Sequence, residues 1–205
     1  MAYAMGFGAP GRLGEGVTSS AGELPSPAGL TDGALANFSF GQGGFTATPV
    51  QLAQMVSVIA NGGHSVQPRV YLGRTLDGGD VIAEGEPEPS RQVISPRTAA
   101  TLRQMMIAVV EEGSGANARP DRGGAGGKTA TAQTGIFQGE EEVLHGWFAG
   151  FYPAQDPQYA VVVLAEGGGE GSDIPARTFA AICDGIAEMR AADDTVLASG
   201  PAGRT

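Results

Sequence analysis

The stretch "GGAGGKTATAQTG", residues 123–135, holds Lys128, the only lysine in a chain of 205 residues. It admits two readings with unrelated chemistry. Glycines leading into Lys128-Thr129 suggest a phosphate-binding loop, whereas Lys-Thr-Ala-Thr suggests a strand bordering a reaction site. A Walker-type loop needs Gly, four residues, then Gly-Lys-Ser/Thr. Gly127, Lys128 and Thr129 fit, but Arg122 stands where the first glycine belongs. Such a loop also follows a buried strand and opens a helix whose N-terminus holds the phosphate. Here the upstream text is "NARPDRG" and the downstream text is small and β-branched. A P-loop nucleotide-binding protein therefore ranks behind the strand.

Laid on a strand, side chains 128–133 alternate between faces. Thr129, Thr131 and Gln133 share one face, and Ala130 and Ala132 share the other. Two hydroxyls beside an ammonium suit an anionic group such as a terminal carboxylate. A backbone N–H of such a strand, aimed at a carbonyl under attack, is an oxyanion donor. The residues alone leave a plainer alternative open. A lysine entering a strand also serves as a solvated gatekeeper, and threonine is an ordinary strand residue.

Around this stretch the pattern predicts an α+β domain. "VLHGWFAGFYP" (143–153) returns as the second arm of a hairpin, "QYAVVVLAEGG" (158–168) is a third strand, and a helix capped by Asp173 follows, with Phe179, Ile182, Cys183 and Ile186 on one face. Upstream, Thr48, Pro49 and Gln51 form a capping box that opens a helix carrying Leu52, Met55, Val56 and Ile59. Ser95 and Pro96 open another, with Leu102, Met106, Val109 and Val110 as its stripe. Short strands with a turn at Asp77-Gly78-Gly79 fall between them. Residues 1–47 show no strong element, and 191–205 read as a disordered tail. Helices first, then antiparallel strands, then a helix across them is α+β order and not alternating βαβ.

Composition excludes several classes. The net charge is −10, which argues against nucleic acid, whose phosphates demand a basic face. Cys183 is the only cysteine, and His64 and His145 have no partner at metal-ligand spacing. No stretch reaches the ~20 apolar residues of a membrane span, and no signal-peptide pattern opens the chain. A Gly-x-Ser-x-Gly nucleophile elbow fails at Ser39, where Asn37 replaces the glycine.

"GKTATAQTG" (127–135) resembles the Lys-Thr-Gly element of penicillin-binding protein transpeptidase domains of the class B, monofunctional type. "SFGQGGFTATPVQLAQMVSVIANGG" (39–63), "HGWFAGFYP" (145–153) and "YAVVVLAEGG" (159–168) resemble further segments of that family, in family order, over about residues 5–190. The resemblance implies the serine β-lactamase/transpeptidase-like fold, with residues 1–190 as the C-terminal portion of the domain. It implies acyl transfer through a serine that attacks a D-Ala-D-Ala stem peptide and that β-lactams acylate. Lys128 would bond the serine of the family's second motif, Thr129 and Thr131 would hold the substrate carboxylate, and the Thr131 N–H would donate to the oxyanion. Ala130 and Gln133 would also contact the substrate. No cofactor or metal is implied. The place implied is the extracytoplasmic face of a bacterial membrane. The partners implied are peptidoglycan stem peptides, β-lactams, and other cell-wall synthesis proteins or a missing N-terminal half.

Two departures stand out. Ala130 replaces the usual glycine. With Lys128 the only lysine, no Ser-x-x-Lys nucleophile exists, and Ser114-Gly115-Ala116-Asn117 is one residue too long for Ser-x-Asn. The expectation is a truncated domain carrying one of three motifs, inactive alone, or else a catalytically dead interaction or complementation module of the same fold.

Overall fold

The structure, a computed structural model, describes residues 2–14, 16–70, 73–75, 81–83 and 89–198. It forms two units, Met1–Gln104 and Met105–Thr205, the division falling inside a helix.

The first unit strings short elements along irregular chain: β1 (Arg12–Gly14), β2 (Val17–Thr18), α1 (Asp32–Ser39), α2 (Pro49–Ala60), β3 (His64–Ser65), β4 (Gly73–Thr75), β5 (Val81–Ala83) and β6 (Arg91–Gln92). Among the described residues its strands pair antiparallel as β1–β2, β3–β6 and β4–β5. The expected turn at Asp77-Gly78-Gly79 lies outside the described residues. α2 begins at the predicted capping box: Gln51 N–H donates to Thr48 Oγ1 at 3.2 Å, and Thr48 N–H donates to Gln51 Oε1 at 2.9 Å. Gln51 does more than cap. Its side chain is 2% exposed, and the two hydrogens of its Nε2 are donated to the carbonyls of Gly6 and Ala21 at 3.1 and 2.7 Å, with the Ala9 carbonyl at 3.4 Å sharing one of them. A buried amide left without partners is costly, so Gln51 ties the N-terminal loops to α2. Val56, Val58 and Ile59 fill the helix's buried face, while Leu52 and Met55 are half-buried. α1 was not foreseen. Thr31 caps it, but none of its residues is buried, so it carries no apolar stripe from which a helix can be read.

α3 (Pro96–Glu111) crosses the division. Ser95 Oγ accepts the Thr98 N–H at 3.1 Å, as expected of a cap. The second unit is a sheet of β7 (Gly126–Gln138), β8 (Glu141–Tyr152) and β9 (Tyr159–Ala165), antiparallel in that order, followed by α4 (Ile174–Ala198). Its core gathers Val110, Ala118, Phe148, Tyr152, Ala176, Phe179 and Cys183. The rings of Phe148 and Phe179 lie 4.6 Å apart, joining sheet to helix. Ile182 is 39% exposed. The buried stripe of α4 runs through Ala176, Phe179 and Cys183, and Ile182 falls one position off it. Part of the segment read above as a tail is helical. Residues 191–198 continue α4. Ala and Leu are strong helix formers, and no glycine or proline interrupts them before Gly200.

Candidate functional site

Among the described residues β7 is an edge strand, with β8 on one side only. Its register sets the faces. Thr129 pairs with Phe148, Ala130 with Trp147, and Thr131 with Gly146. Directly opposite residues share a face, so the two threonines lie on the Phe148 side, and Ala130 lies on the other, where it is exposed.

The glycines before Lys128 have a packing reason. A Cβ on Gly126 would sit 2.2 Å from Phe151 Cζ, and one on Gly127 would sit 2.3 Å from Phe148 Cε1. They admit two phenyl rings against the strand. Lys128 lies inside β7 and opens no helix, so the P-loop alternative is overturned.

The Lys128 ammonium is exposed and donates to the Thr129 carbonyl at 2.8 Å and to Thr129 Oγ1 at 3.1 Å. Thr129 Oγ1 also lies 3.1 Å from Ser114 Oγ. Thr131 Oγ1 accepts the Gly171 N–H at 3.4 Å, and Asn117 Nδ2 donates to the Ser172 carbonyl at 2.8 Å. The segment 114–117, which fails the Ser-x-Asn spacing, thus contacts both β7 and the loop after β9. Ser114 had no signal as a neighbour of Thr129, because the contact is tertiary and the Gly-Ser-Gly text reads as loop.

Gln133 is placed differently from the threonines' hydroxyls. Its Nε2 donates to Glu142 Oε2 at 3.0 Å, and the Gly135 N–H donates to Glu142 Oε1 at 2.9 Å. Gln133 therefore braces the distal hairpin. A hollow there, lined by Gln138, Glu141, Glu142, Val143, Leu144, Gly167 and Gly169, is walled by two carboxylates and is a poor receptor for an anion. His145 Nδ1 accepts the Gly167 N–H at 3.1 Å, a structural bond. Among the described residues no group of three or more His, Cys, Asp and Glu is placed to hold a metal, and no helix is long and apolar enough to cross a membrane.

A strand that offers an ammonium beside a hydroxyl, as Lys128 and Thr129 do, has the chemistry to receive an anion. Known proteins are similar to the chain in sequence and in fold. Residues 1–184 match the penicillin binding protein transpeptidase domain. Over 141 residues the chain is 40% identical to the peptidoglycan D,D-transpeptidase PbpA of Mycolicibacterium smegmatis, covering 67% of this chain and 28% of that protein. Penicillin-binding protein 3 of Mycobacterium tuberculosis, solved with ampicillin, matches at TM-score 0.76 and 30% identity over 92% of this chain and 44% of that one. Penicillin-binding protein A of the same organism, solved as an imipenem acyl-enzyme, matches at TM-score 0.76 and 27% identity over 90% of this chain and 40% of that one. The chain belongs to the penicillin-binding protein transpeptidase domain family, in its class B group.

Proposed function

We propose that this chain supplies the carboxylate-holding wall of a serine D,D-transpeptidase site that cross-links peptidoglycan and binds β-lactams. The observation that carries it is the Lys128 ammonium set 3.1 Å from the Thr129 hydroxyl on an open strand edge. A charge-assisted bond from Lys128 and hydroxyl donors from Thr129 and Thr131 match the C-terminal carboxylate of a D-Ala-D-Ala stem peptide and the carboxylate of a penicillin. The Thr129 carbonyl is reached by the lysine, so it opens to the free edge. Thr131, two residues on, shares that orientation, which supports its N–H as an oxyanion donor. Ala130 lies away from the hydroxyls, which supports its tolerance in the usual glycine place.

In the reaction a serine attacks the penultimate D-alanine carbonyl and is acylated as the terminal D-alanine leaves, and an amine then takes the acyl group and frees the serine. The residues of this chain bind and polarise in that scheme, since it contains no Ser-x-x-Lys. A second form of the reading is a complementation module of the same fold, which binds while a segment bearing Ser-x-x-Lys is acylated. Mixing with a polypeptide bearing Ser-x-x-Lys separates it from a silent module by restoring acylation. The relatives are named as cell-wall transpeptidases and penicillin-binding proteins, and the proposed place of work is the extracytoplasmic face of the membrane.

The test is a titration of the isotope-labelled chain with ampicillin, read by amide chemical shifts. Shifts are expected at 128–131, lost in Lys128→Met. Shifts confined to other residues, or unchanged by Lys128→Met, would contradict the assignment.

A further inference from the structure

We infer that Ser114 is a positioning residue for the Thr129 hydroxyl and fixes the direction in which that hydroxyl gives its proton; the ligand part of this inference rests on the carboxylate-binding role proposed above. The hydrogen-bond inventory around Thr129 leads there. Its hydroxyl has one proton to give and two lone pairs. The Lys128 ammonium has only donors, so its 3.1 Å contact uses one lone pair of Thr129 Oγ1. Ser114 Oγ, also at 3.1 Å, can give or take. If Ser114 takes, the Thr129 proton is consumed inside the chain. If Ser114 gives, both Thr129 lone pairs are filled and its proton must point to a third group. An arriving carboxylate accepts only, so it selects the second arrangement: Ser114 O–H to Thr129 Oγ1, and Thr129 O–H to the anion.

The turn that carries Ser114 is built to hold it there. Gly113 and Gly115 both donate their N–H groups to the Val109 carbonyl, at 3.1 and 3.0 Å, closing the C-terminus of α3. A Cβ on Gly113 would lie 2.9 Å from Val109 Cα. One on Gly115 would lie 3.0 Å from Val109 Cγ1 and 3.3 Å from Phe148 Cε2. Phe148 is the residue paired with Thr129 across the sheet. The two glycines therefore bring the chain down onto α3 and Phe148, and the residue between them meets the hydroxyl of Thr129.

Two measurements on the intact chain test this. The first needs no ligand: three-bond couplings that report the Thr129 χ1 rotamer. A single rotamer is expected in the parent and in Ser114→Thr, and averaging in Ser114→Ala. The second is the affinity for N-acetyl-D-Ala-D-Ala, followed by chemical shift. Ser114→Ala is expected to weaken it about three- to tenfold, the scale of one net hydrogen bond, and Ser114→Thr to restore it. Ser114 is exposed, so neither variant threatens the fold. A Thr129 rotamer unchanged in Ser114→Ala overturns the positioning role, whatever the ligand does. An affinity unchanged in Ser114→Ala, with the rotamer released, overturns the claim that the proton's direction matters to the anion. A parent chain that does not bind the dipeptide, with the rotamer still dependent on Ser114, overturns the carboxylate role and leaves the positioning role supported.

Discussion

Gly171 lies directly against Ala130: a Cβ on Gly171 would sit 2.3 Å from the Ala130 carbonyl oxygen and equally close to that of Trp147. This approach lets the loop after β9 deliver the Gly171 N–H to Thr131 Oγ1. A side chain there meets backbone on both sides and has nowhere to turn. Gly171→Val is expected to detach the loop, costing about 1–3 kcal/mol, as overpacking does. A thermal melt should show a lower midpoint, and the Thr131 amide resonance should shift. A parent-like melt would mean that the loop is not seated as described.

Gln51 predicts a separate loss in the first unit. Its amide serves the carbonyls of Gly6, Ala9 and Ala21 from a buried position. Gln51→Ala should cost about 1–3 kcal/mol for the groups left unpaired. Limited proteolysis should then cut within residues 1–30 faster than in the parent. Equal cutting rates would assign the amide no holding role.

Alkaline pH should destabilise the second unit. Burial, with the Asp184 charge adding to it, pushes the Cys183 thiol from 9.0 up to about 12. Burial also raises the Tyr152 phenol, with Cys183 and Asp184 adding to it. Both groups hold their protons more tightly when folded. Their contribution is complete below pH 9.0 and is lost as the pH climbs towards 12, because the unfolded chain ionises first. Melting points should be level from pH 7 to 8.5 and fall above 9, and the thiol should resist alkylation at pH 8 until the chain is denatured. Rapid native alkylation would contradict the buried thiol.

Without a Ser-x-x-Lys, this chain should not be stably acylated. A fluorescent penicillin should leave no covalent label after denaturing electrophoresis. A labelled serine would show that another residue of the chain serves as nucleophile.

The strand and its faces were legible because alternation at 128–133 is a local pattern, and the caps at Thr48 and Ser95 were legible because capping is decided within four residues. α1 was not, since an exposed helix shows no stripe. Residues 191–198 looked like a tail because their acids and Thr195 obscured the helix formers among them. Within the proposed site, the placement of Lys128, Thr129 and Thr131 on one strand was readable from that alternation. The turn of Gln133 towards Glu142 depends on a bulge beyond residue 133, and the meeting of Ser114 with Thr129 depends on the turn after α3. Neither leaves a trace in local spacing.

The central claim, that Lys128, Thr129 and Thr131 receive a carboxylate, is tested most directly by comparing N-acetyl-D-Ala-D-Ala with its C-terminal amide in the same chemical-shift titration. The two probes differ only in the charged group. The account predicts that the acid perturbs residues 128–131, weakens with added salt as a charge contact should, and that the amide leaves those residues unmoved. Equal perturbation by acid and amide, or none at 128–131 by the acid, would contradict it.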